Sequence, residues 1–385
     1  MISDGQNLNS HAQRPAVGTR YEIVCHLSLA QDLYHASHLY AGLFDLMKRG
    51  VARVRFNVPR QKAEKLYVSD STAVCLTVKR PDTGKDYLLV VDLRDRSDQL
   101  TAPLLERADV YLKRSYYEPD LSDLPPELKG KIIPFGLNYA CRSVESTRAV
   151  LSTLAPRLAF ELLRSPRKTS RQLNPRRSIL YQYLTTSLES EFEQAPDAEL
   201  EATVLFQTRV YQPEEIYPDD PAEVNEGRVR LVRELKKAFG PKFQGGLVPT
   251  AYAKEHYPDA VSEQPTRQSQ YVAWGKRSLV GIYTRGLFHS LAFKLPEYLA
   301  ASKCIVSEPL RNSLPTPFVA GEHYLEFKTS EECVERCARV LKDASLAKDL
   351  RRAAWDYYQR EVKPAAHLEG VLRRALNANS LAQSE

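Results

Sequence analysis

Short runs of β-branched and apolar residues alternate along this chain with stretches whose apolar positions recur every three or four residues, the pattern of strands separated by helices. YEIVCHLSL, from Tyr21, predicts a first strand. Leu33, Leu39, Tyr40, Leu43, Phe44 and Met47 predict a helix over 30–49, closed by Gly50 in the left-handed position that ends helices. VARVRFNV, STAVCLTVK and DYLLVVDL supply three more strands. Pro81-Asp82-Thr83-Gly84 between the last two predicts a hairpin, so this sheet is not expected to be purely parallel. A helix over 97–107 and strands in ADVYLKRSYY and GKIIPFGLNY complete a doubly wound α/β domain over 21–142, preceded by a leader over 1–20 that is read as flexible.

From 143 to 198 the pattern changes: helices over 144–163 and 179–192 flank the Pro- and Arg-rich SPRKTSRQLNPRRS, a stretch read as the connection between domains. A second series opens with EATVLFQTRVY, passes through a helix over 225–239 and the strand KFQGGLVP, and reaches YVAWGKRSLVGIYTRG. It closes with a helix over 293–301, strands in KCIVSEP and HYLEFK, and helices over 330–343 and 346–375. The expectation is α/β: a second Rossmann-like domain over 199–345, and a terminal segment 346–385 that packs back on the first domain. Two such domains face a cleft, and ligands bind there at the carboxyl ends of the strands.

Composition narrows the class. With 385 residues, 43% of them apolar, the chain can fill two cores and is neither disordered nor fibrous. The first twenty residues lack the apolar run of a signal peptide, and no segment has the length of uncharged apolar sequence that a membrane span needs. The six cysteines are scattered without CxxC pairs, and Cys333 and Cys337, four apart, have no His pair nearby. That suits reduced thiols, a cytoplasmic location and no metal site. The net charge of +6 names no partner by itself. Its distribution does: Arg157, Arg164, Arg167, Lys168, Arg171, Arg176 and Arg177 face a single acid, Glu161, in a strip expected to rest on an anionic membrane surface at its inner face. Neither GxGxxG nor GxxxxGK[ST] occurs, and Gly245-Gly246 is only a weak phosphate-loop signal. Nucleic acid is not expected as a partner, because no recognition motif is present and the aromatics do not interleave with the basic strip.

The run LAFKLPEYLAASKCIVSEPL resembles the donor-domain signature of GT-B glycosyltransferases of the group-1, family-4-like type, with a helix carrying Glu297, then Ala300-Ala301-Ser302-Lys303, then the strand CIVSE. FVAGEHYLEF, TSEECVERCARVL and WDYYQR downstream are similar to that group as well. The resemblance implies a metal-independent transferase that takes a nucleotide-sugar as co-substrate, needs no cofactor, and adds a sugar to a glycan or lipid-linked acceptor in polysaccharide or glycoconjugate synthesis. A Glu on the first turn of a helix can accept hydrogen bonds from ribose hydroxyls while backbone N–H groups beside it take the diphosphate. Arg209 resembles the Arg that holds the leaving diphosphate in such enzymes. Where the family carries a Lys five residues on, this chain has Glu214, so Lys294 or Arg285 is expected to supply the second charge. Where the family has an earlier Glu, eight residues before Glu297, this chain has His289, followed by Ser290. GIYTRGLFHSLAFK, with Tyr283 and Thr284, is expected to wrap the donor.

On the acceptor side, Asp92 at the end of YLLVV is the first candidate for the base, and His26 and His35 are the next. Lys113 and Arg114, ending ADVYL, are expected to meet an acidic or phosphorylated acceptor. Two other readings compete: a sugar-nucleotide epimerase or hydrolase, for which Asp92 and Asp95 offer a carboxylate pair, and a non-catalytic nucleotide-sugar-binding protein, favoured by the missing earlier Glu.

Overall fold

The computed structural model describes residues 21–59, 63–80, 84–164, 179–212 and 221–381; the leader, the Pro81–Thr83 part of the hairpin turn and most of the basic strip lie outside them. The first domain carries strands β1 (Tyr21–His26), β2 (Ala52–Asn57), β3 (Ala73–Lys79), β4 (Asp86–Asp92), β5 (Val110–Lys113) and β6 (Ile132–Pro134), with helices α1 (Leu33–Lys48), α2 (Ala102–Arg107) and α3 (Pro126–Lys129). Its sheet order is β2-β1-β3-β4-β5-β6. β3 runs antiparallel to both neighbours and every other pairing is parallel. The hairpin thus wedges one reversed strand between β1 and β4. Gly50, at φ +70°, ends α1, and its N–H bonds the Met47 carbonyl at 3.0 Å.

Helices α4 (Val144–Arg164), α5 (Ile179–Thr185) and α6 (Glu189–Phe192) follow. The stretch read as a connection belongs in part to the first core: Val150, Leu154 and Tyr183 are buried with Leu39, Tyr40 and Leu43 of α1. The second domain then runs through β7 (Glu201–Thr208), α7 (Pro221–Phe239), β8 (Phe243–Leu247), α8 (Ala251–His256), α9 (Gln268–Gly275), β9 (Ser278–Tyr283), α10 (Lys294–Ala300), β10 (Cys304–Ser307), β11 (Leu325–Glu326), α11 (Ser330–Lys342) and α12 (Ala344–Tyr357). Its order, β11-β10-β9-β7-β8, is parallel throughout. Counted from β7 this is 2-1-3-4-5, whose switch point lies between β7 and β9. Gly245 and Gly246 lie within β8, where a Cβ on Gly245 would strike the Phe206 carbonyl of β7, so the pair serves strand packing rather than phosphate binding.

The single helix expected over 346–375 is broken. A π-helical turn at Tyr358–Val362 ends the run, and α13 (Pro364–Leu381) starts afresh at a proline that cannot continue the preceding ladder. The turn redirects the chain onto the first domain, where Leu368, Val371, Leu372, Ala375 and Leu376 enter its core. Gly42 of α1 permits the close approach, since a Cβ there would stand 2.5 Å from the Pro364 carbonyl oxygen.

His38 of α1 and His367 of α13 meet at 3.0 Å at this crossing, and the second ring nitrogen of His367 bonds the Phe135 carbonyl at 2.8 Å. Burial drives both imidazoles toward the neutral form, His367 from 6.5 to about 4 and His38 well below its ordinary value. In the unfolded chain both protonate near 6.5. Their contribution to stability is therefore complete above that pH and is lost as pH falls from 6.5 toward 4, by about 3 kcal/mol for His367 alone. Urea midpoints taken along that interval should fall more steeply for the wild type than for His367→Asn; parallel profiles would rule this out.

Candidate active site

β7 and β9 diverge at their carboxyl ends because the chain leaves β7 toward β8 on one side and β9 toward β10 on the other. The crevice between them opens into a cleft of about 520 Å³, walled by Gln207, Thr208, Arg209, Thr284, Lys294 and Glu297 and closed by Tyr34 of the first domain. Apolar residues within β7 and β9 hold the two strands in the core, and the polar residues that follow them come out at the rim.

Glu297 stands on the inward face of α10 and is 9% exposed. Burial pushes its carboxyl up from the ordinary value, and Lys294 Nζ, 3.4 Å away, offsets part of that push. Its Oε2, the oxygen that Lys294 faces at 3.4 Å, makes no well-formed hydrogen bond. Lys294 sits with Nζ 3.1 Å from the centre of the Tyr271 ring, and burial holds its ammonium below the ordinary value against the attraction of Glu297. A buried carboxylate oxygen held by one long ion pair is incompletely satisfied, and a hydroxyl-bearing ligand in the cleft would complete it.

Opposite stand two guanidinium groups. Arg209 lies over the Tyr211 ring at 4.5 Å and reaches the cleft from an exposed position. Arg228, on the first half of α7, lies 5.0 Å from the same ring and is 6% exposed. It donates to the carbonyls of Arg209 at 2.6 Å and Arg285 at 2.7 Å, tying together the loops that follow β7 and β9. Asn225, one turn earlier, fixes Tyr211 through both its N–H and its carbonyl. Arg228 also lines the cleft and adds positive charge where Lys294 or Arg285 was expected to do so alone. The sequence analysis places a helix over 225–239 and does not single out Arg228. Its signal is position, in the early turns of the helix that follows the Arg209 strand.

The β9–α10 loop departs from expectation. Thr284 faces the cleft, but Tyr283 is a buried scaffold whose hydroxyl accepts the Ala292 N–H at 2.9 Å. Ser290 is buried as well, and its carbonyl accepts the Gly286 N–H at 2.9 Å. Phe288 and His289 adopt the left-handed region at φ +55° and +58°, which turns the loop back on itself. His289 is thereby placed 2.9 Å from the Arg285 guanidinium and off the walls of the cleft. Arg285 lines a neighbouring recess with Glu223, Arg228 and Glu308 instead.

On the first domain four expectations are corrected. Asp92 is fully buried, accepting from Lys113 Nζ at 2.9 Å, Tyr111 Oη at 2.8 Å and the Arg94 N–H at 3.0 Å, so it has no route to a substrate proton. Lys113 is fully buried too, shared between Asp92 and the Gln99 carbonyl at 2.7 Å, and meets no acceptor. Arg114 is an interdomain clamp: it bonds Asn138 at 2.9 Å and Asp95, reaches the Leu291 carbonyl of the second domain, and lies 4.9 Å from the Phe293 ring. His26 is buried against Thr77 and Tyr67 and lines neither cavity.

His35 differs from these. Its Nδ1 lies 2.7 Å from Asp32 Oδ2, while Asp32 Oδ1 accepts the His35 N–H at 3.1 Å and caps α1. Burial raises the Asp32 carboxyl, but the bonds from His35 and Tyr34 outweigh it and hold the group below its ordinary value. Both residues line a recess of about 300 Å³ beside the main cleft, which sequence reading did not anticipate. Asp32 was missed because it looks like any helix cap; its spacing of three from a histidine was the available sign.

Among the described residues no three His, Cys, Asp or Glu side chains stand close enough to share a metal ion. None of their helices is long and apolar enough to cross a membrane.

Comparison with known proteins finds a family likeness over part of the chain. No curated protein matches the chain. Residues 228–373 match the family described as glycosyl transferase-like. A glycosyltransferase from Rickettsia africae ESF-5 is 12% identical, with 93% of this chain and 97% of that one covered at a TM-score of 0.42. UDP-GlcNAc 2-epimerase from Neisseria meningitidis, solved bound to UDP-GlcNAc, is 12% identical over 91% of this chain and 98% of that one, at 0.37. The C-terminal domain of a group 1 glycosyl transferase, LpcC, from Francisella tularensis is 9% identical over 46% of this chain and 97% of that one, at 0.33. The family match covers the second domain from Arg228 onward, and the sheet orders give two Rossmann-like domains about a cleft. The stretch from 228 to 373 is thus similar to a glycosyl transferase-like domain, on a chain of two Rossmann-like α/β domains.

Proposed function

We propose that this chain is a glycosyltransferase that binds a nucleoside-diphosphate sugar in the cleft at the β7–β9 switch point and passes the sugar to a hydroxyl acceptor on the first domain. The observation that carries the reading is the buried Glu297 carboxylate, whose Oε2 has Lys294 at 3.4 Å as its ion-pair partner and no hydrogen bond, on the wall of a cleft that also presents Arg209 and Arg228. Glu297 accepts the ribose hydroxyls. The two guanidinium groups take the charge that builds on the diphosphate as the sugar–phosphate bond breaks. The family match over 228–373 supports this chemistry. A thermal-shift screen with UDP-, GDP-, ADP- and CMP-sugars tests it: one nucleotide class should raise the melting temperature, by about 2.7 kcal/mol of stabilisation at a hundredfold excess over Kd. A protein that responds to none of them is not a nucleotide-sugar enzyme.

The acceptor in this reading is a glycan or lipid-linked glycan at an anionic bilayer face, in the synthesis of surface polysaccharide or a related glycoconjugate. The far half of α4 supports the surface contact, for it exposes Phe160 and Leu163 beside Arg157 and Arg164, next to a run of further basic residues in the sequence. Sedimentation with phosphatidylcholine vesicles, with and without phosphatidylglycerol, decides the matter. Binding should require the anionic lipid and fall when Phe160 and Leu163 are both changed to Glu; indifference to either change removes the membrane from the proposal.

A further inference from the structure

We infer that Gln268 is a positioning residue that couples the donor cleft to the hinge between the domains, its amide joining the wall beside Glu297 to the segment by which the chain leaves the first domain. This rests on the donor reading above.

Gln268 opens α9 and lines the cleft. Both ends of its amide are engaged outside the second domain. Oε1 accepts the Ser187 N–H at 3.0 Å, and Nε2 donates to the Ala140 carbonyl at 3.1 Å. An N–H can only donate and a carbonyl only accept, so these two contacts fix the amide in one orientation. Ala140 lies between β6 and α4 of the first domain. Ser187 follows Tyr183, which is still buried in the first core, and precedes Phe192, which is buried with Tyr271 and Tyr298 of the second domain. The hinge therefore runs through Ser187. The two segments are paired with each other: the Arg142 N–H bonds the Ser187 carbonyl at 3.2 Å, the Glu189 N–H bonds the Arg142 carbonyl at 3.0 Å, and Arg142 Nε bonds the Thr186 carbonyl at 2.7 Å. Through Gln268 the second domain takes hold of that pair.

The same amide reaches the donor site. Gln268 bonds the Glu297 carboxyl and, after Lys294, helps to keep it charged against burial. In the empty protein the amide is thus divided between a carboxylate in the cleft and two backbone groups at the hinge. Ribose hydroxyls that satisfy Glu297 leave the amide to Ala140 and Ser187, and the hinge loses freedom. Tyr34, on the first domain, closes the cleft, so the setting of the hinge decides how fully a donor is enclosed. Linkage makes the effect mutual: a hinge held in that setting binds the donor more tightly.

Asp123→Cys on the first domain and Lys342→Cys on the second give exposed sites for nitroxide labels, while the native cysteines are all buried. The ligand is whichever of UDP-glucose, UDP-GlcNAc, GDP-mannose and ADP-glucose most raises the melting temperature. Dipolar distance measurements by electron spin resonance should show the interdomain distribution narrowing as the donor saturates. Gln268→Leu in the same labelled protein should raise the donor dissociation constant by about 5-fold or more and, at saturating donor, leave the distribution as broad as in the empty protein. Gln268→Glu, which keeps an acceptor for Ser187 and loses the donor to Ala140, should lose the narrowing too. A side chain that only packs would shift the melting temperature and keep the narrowing, and one that only touches the donor would weaken affinity and keep it once the site is filled. Narrowing in either variant equal to that of the parent, or a parent that binds donor without narrowing, overturns the coupling. A parent that binds none of the donors overturns the donor reading and this one with it.

Discussion

Glu297→Ala should weaken binding of the nucleotide-sugar by about 10- to 100-fold and leave the ligand-free protein as stable as the wild type or more so. Hydrogen bonds to a charged group contribute about 1.5–3 kcal/mol each, and the ribose offers two hydroxyls to one carboxylate. The stability half of the expectation comes from burial of the carboxylate, which Lys294 at 3.4 Å from Oε2 and Gln268 offset only in part, so that the group strains the empty protein. A surface glutamate would show neither effect, and a core glutamate with satisfied bonds would show a loss of stability in their place. Titration calorimetry with the donor found in the screen, alongside melting curves of the empty proteins, reads both. Wild-type affinity in the variant would take the ribose contact away from Glu297 and, with it, the main support for the donor site.

Ending the chain at Lys363 should abolish cooperative folding of the first domain, although the deleted residues come last in the sequence. Leu368, Val371, Leu372 and Leu376 are all at most 2% exposed in the core built by β1, β3, β4 and α1. Loss of a buried leucine side chain alone costs about 2–5 kcal/mol, and a domain of this size holds only about 5–15 kcal/mol in total. Limited proteolysis should cut the truncated protein between residues 21 and 142 while sparing the second sheet. A truncated chain that melts like the full one would show that α13 only decorates the surface.

The succession of strands and helices was legible in the sequence because burial imposes periodicity on each element by itself. The hairpin of β3 and β4 could be read from Pro81 to Gly84 for the same local reason. Glu297 and Arg209 were reached through resemblance to a known signature, Lys294 as a stand-in for a charge the signature carries elsewhere and Thr284 from the loop between them, and all four line one cleft. What failed was anything decided across strands. Asp92 looked like a residue emerging at a strand end, yet in register it sits directly beside Lys113 of β5, and a charge neutralised by a neighbouring strand carries no mark in its own segment. Arg114 looked free for an acceptor and is committed to the other domain. His289 and Ser290 were lost to a pair of left-handed residues at Phe288 and His289, neither a glycine, which no local rule of turn composition anticipates.

The polypeptide passes between the two domains twice, outward after Tyr183 and back at Pro364, with α1 and α13 packed where it returns. A body tethered at one point can swing in any direction, whereas one tethered at two opens only about the line that joins them, as a book opens at its spine. On the far side, away from that spine, the polar contacts are Arg114 on the Leu291 carbonyl, the Ser313 N–H on the Tyr116 carbonyl at 2.9 Å, and Arg311 on Asp120 at 3.1 Å, beside the Phe293 ring that Tyr34, His35 and Arg114 touch. Those bonds act as a clasp. Weakening them lets substrates in and products out sooner without altering the path along which the two covers part.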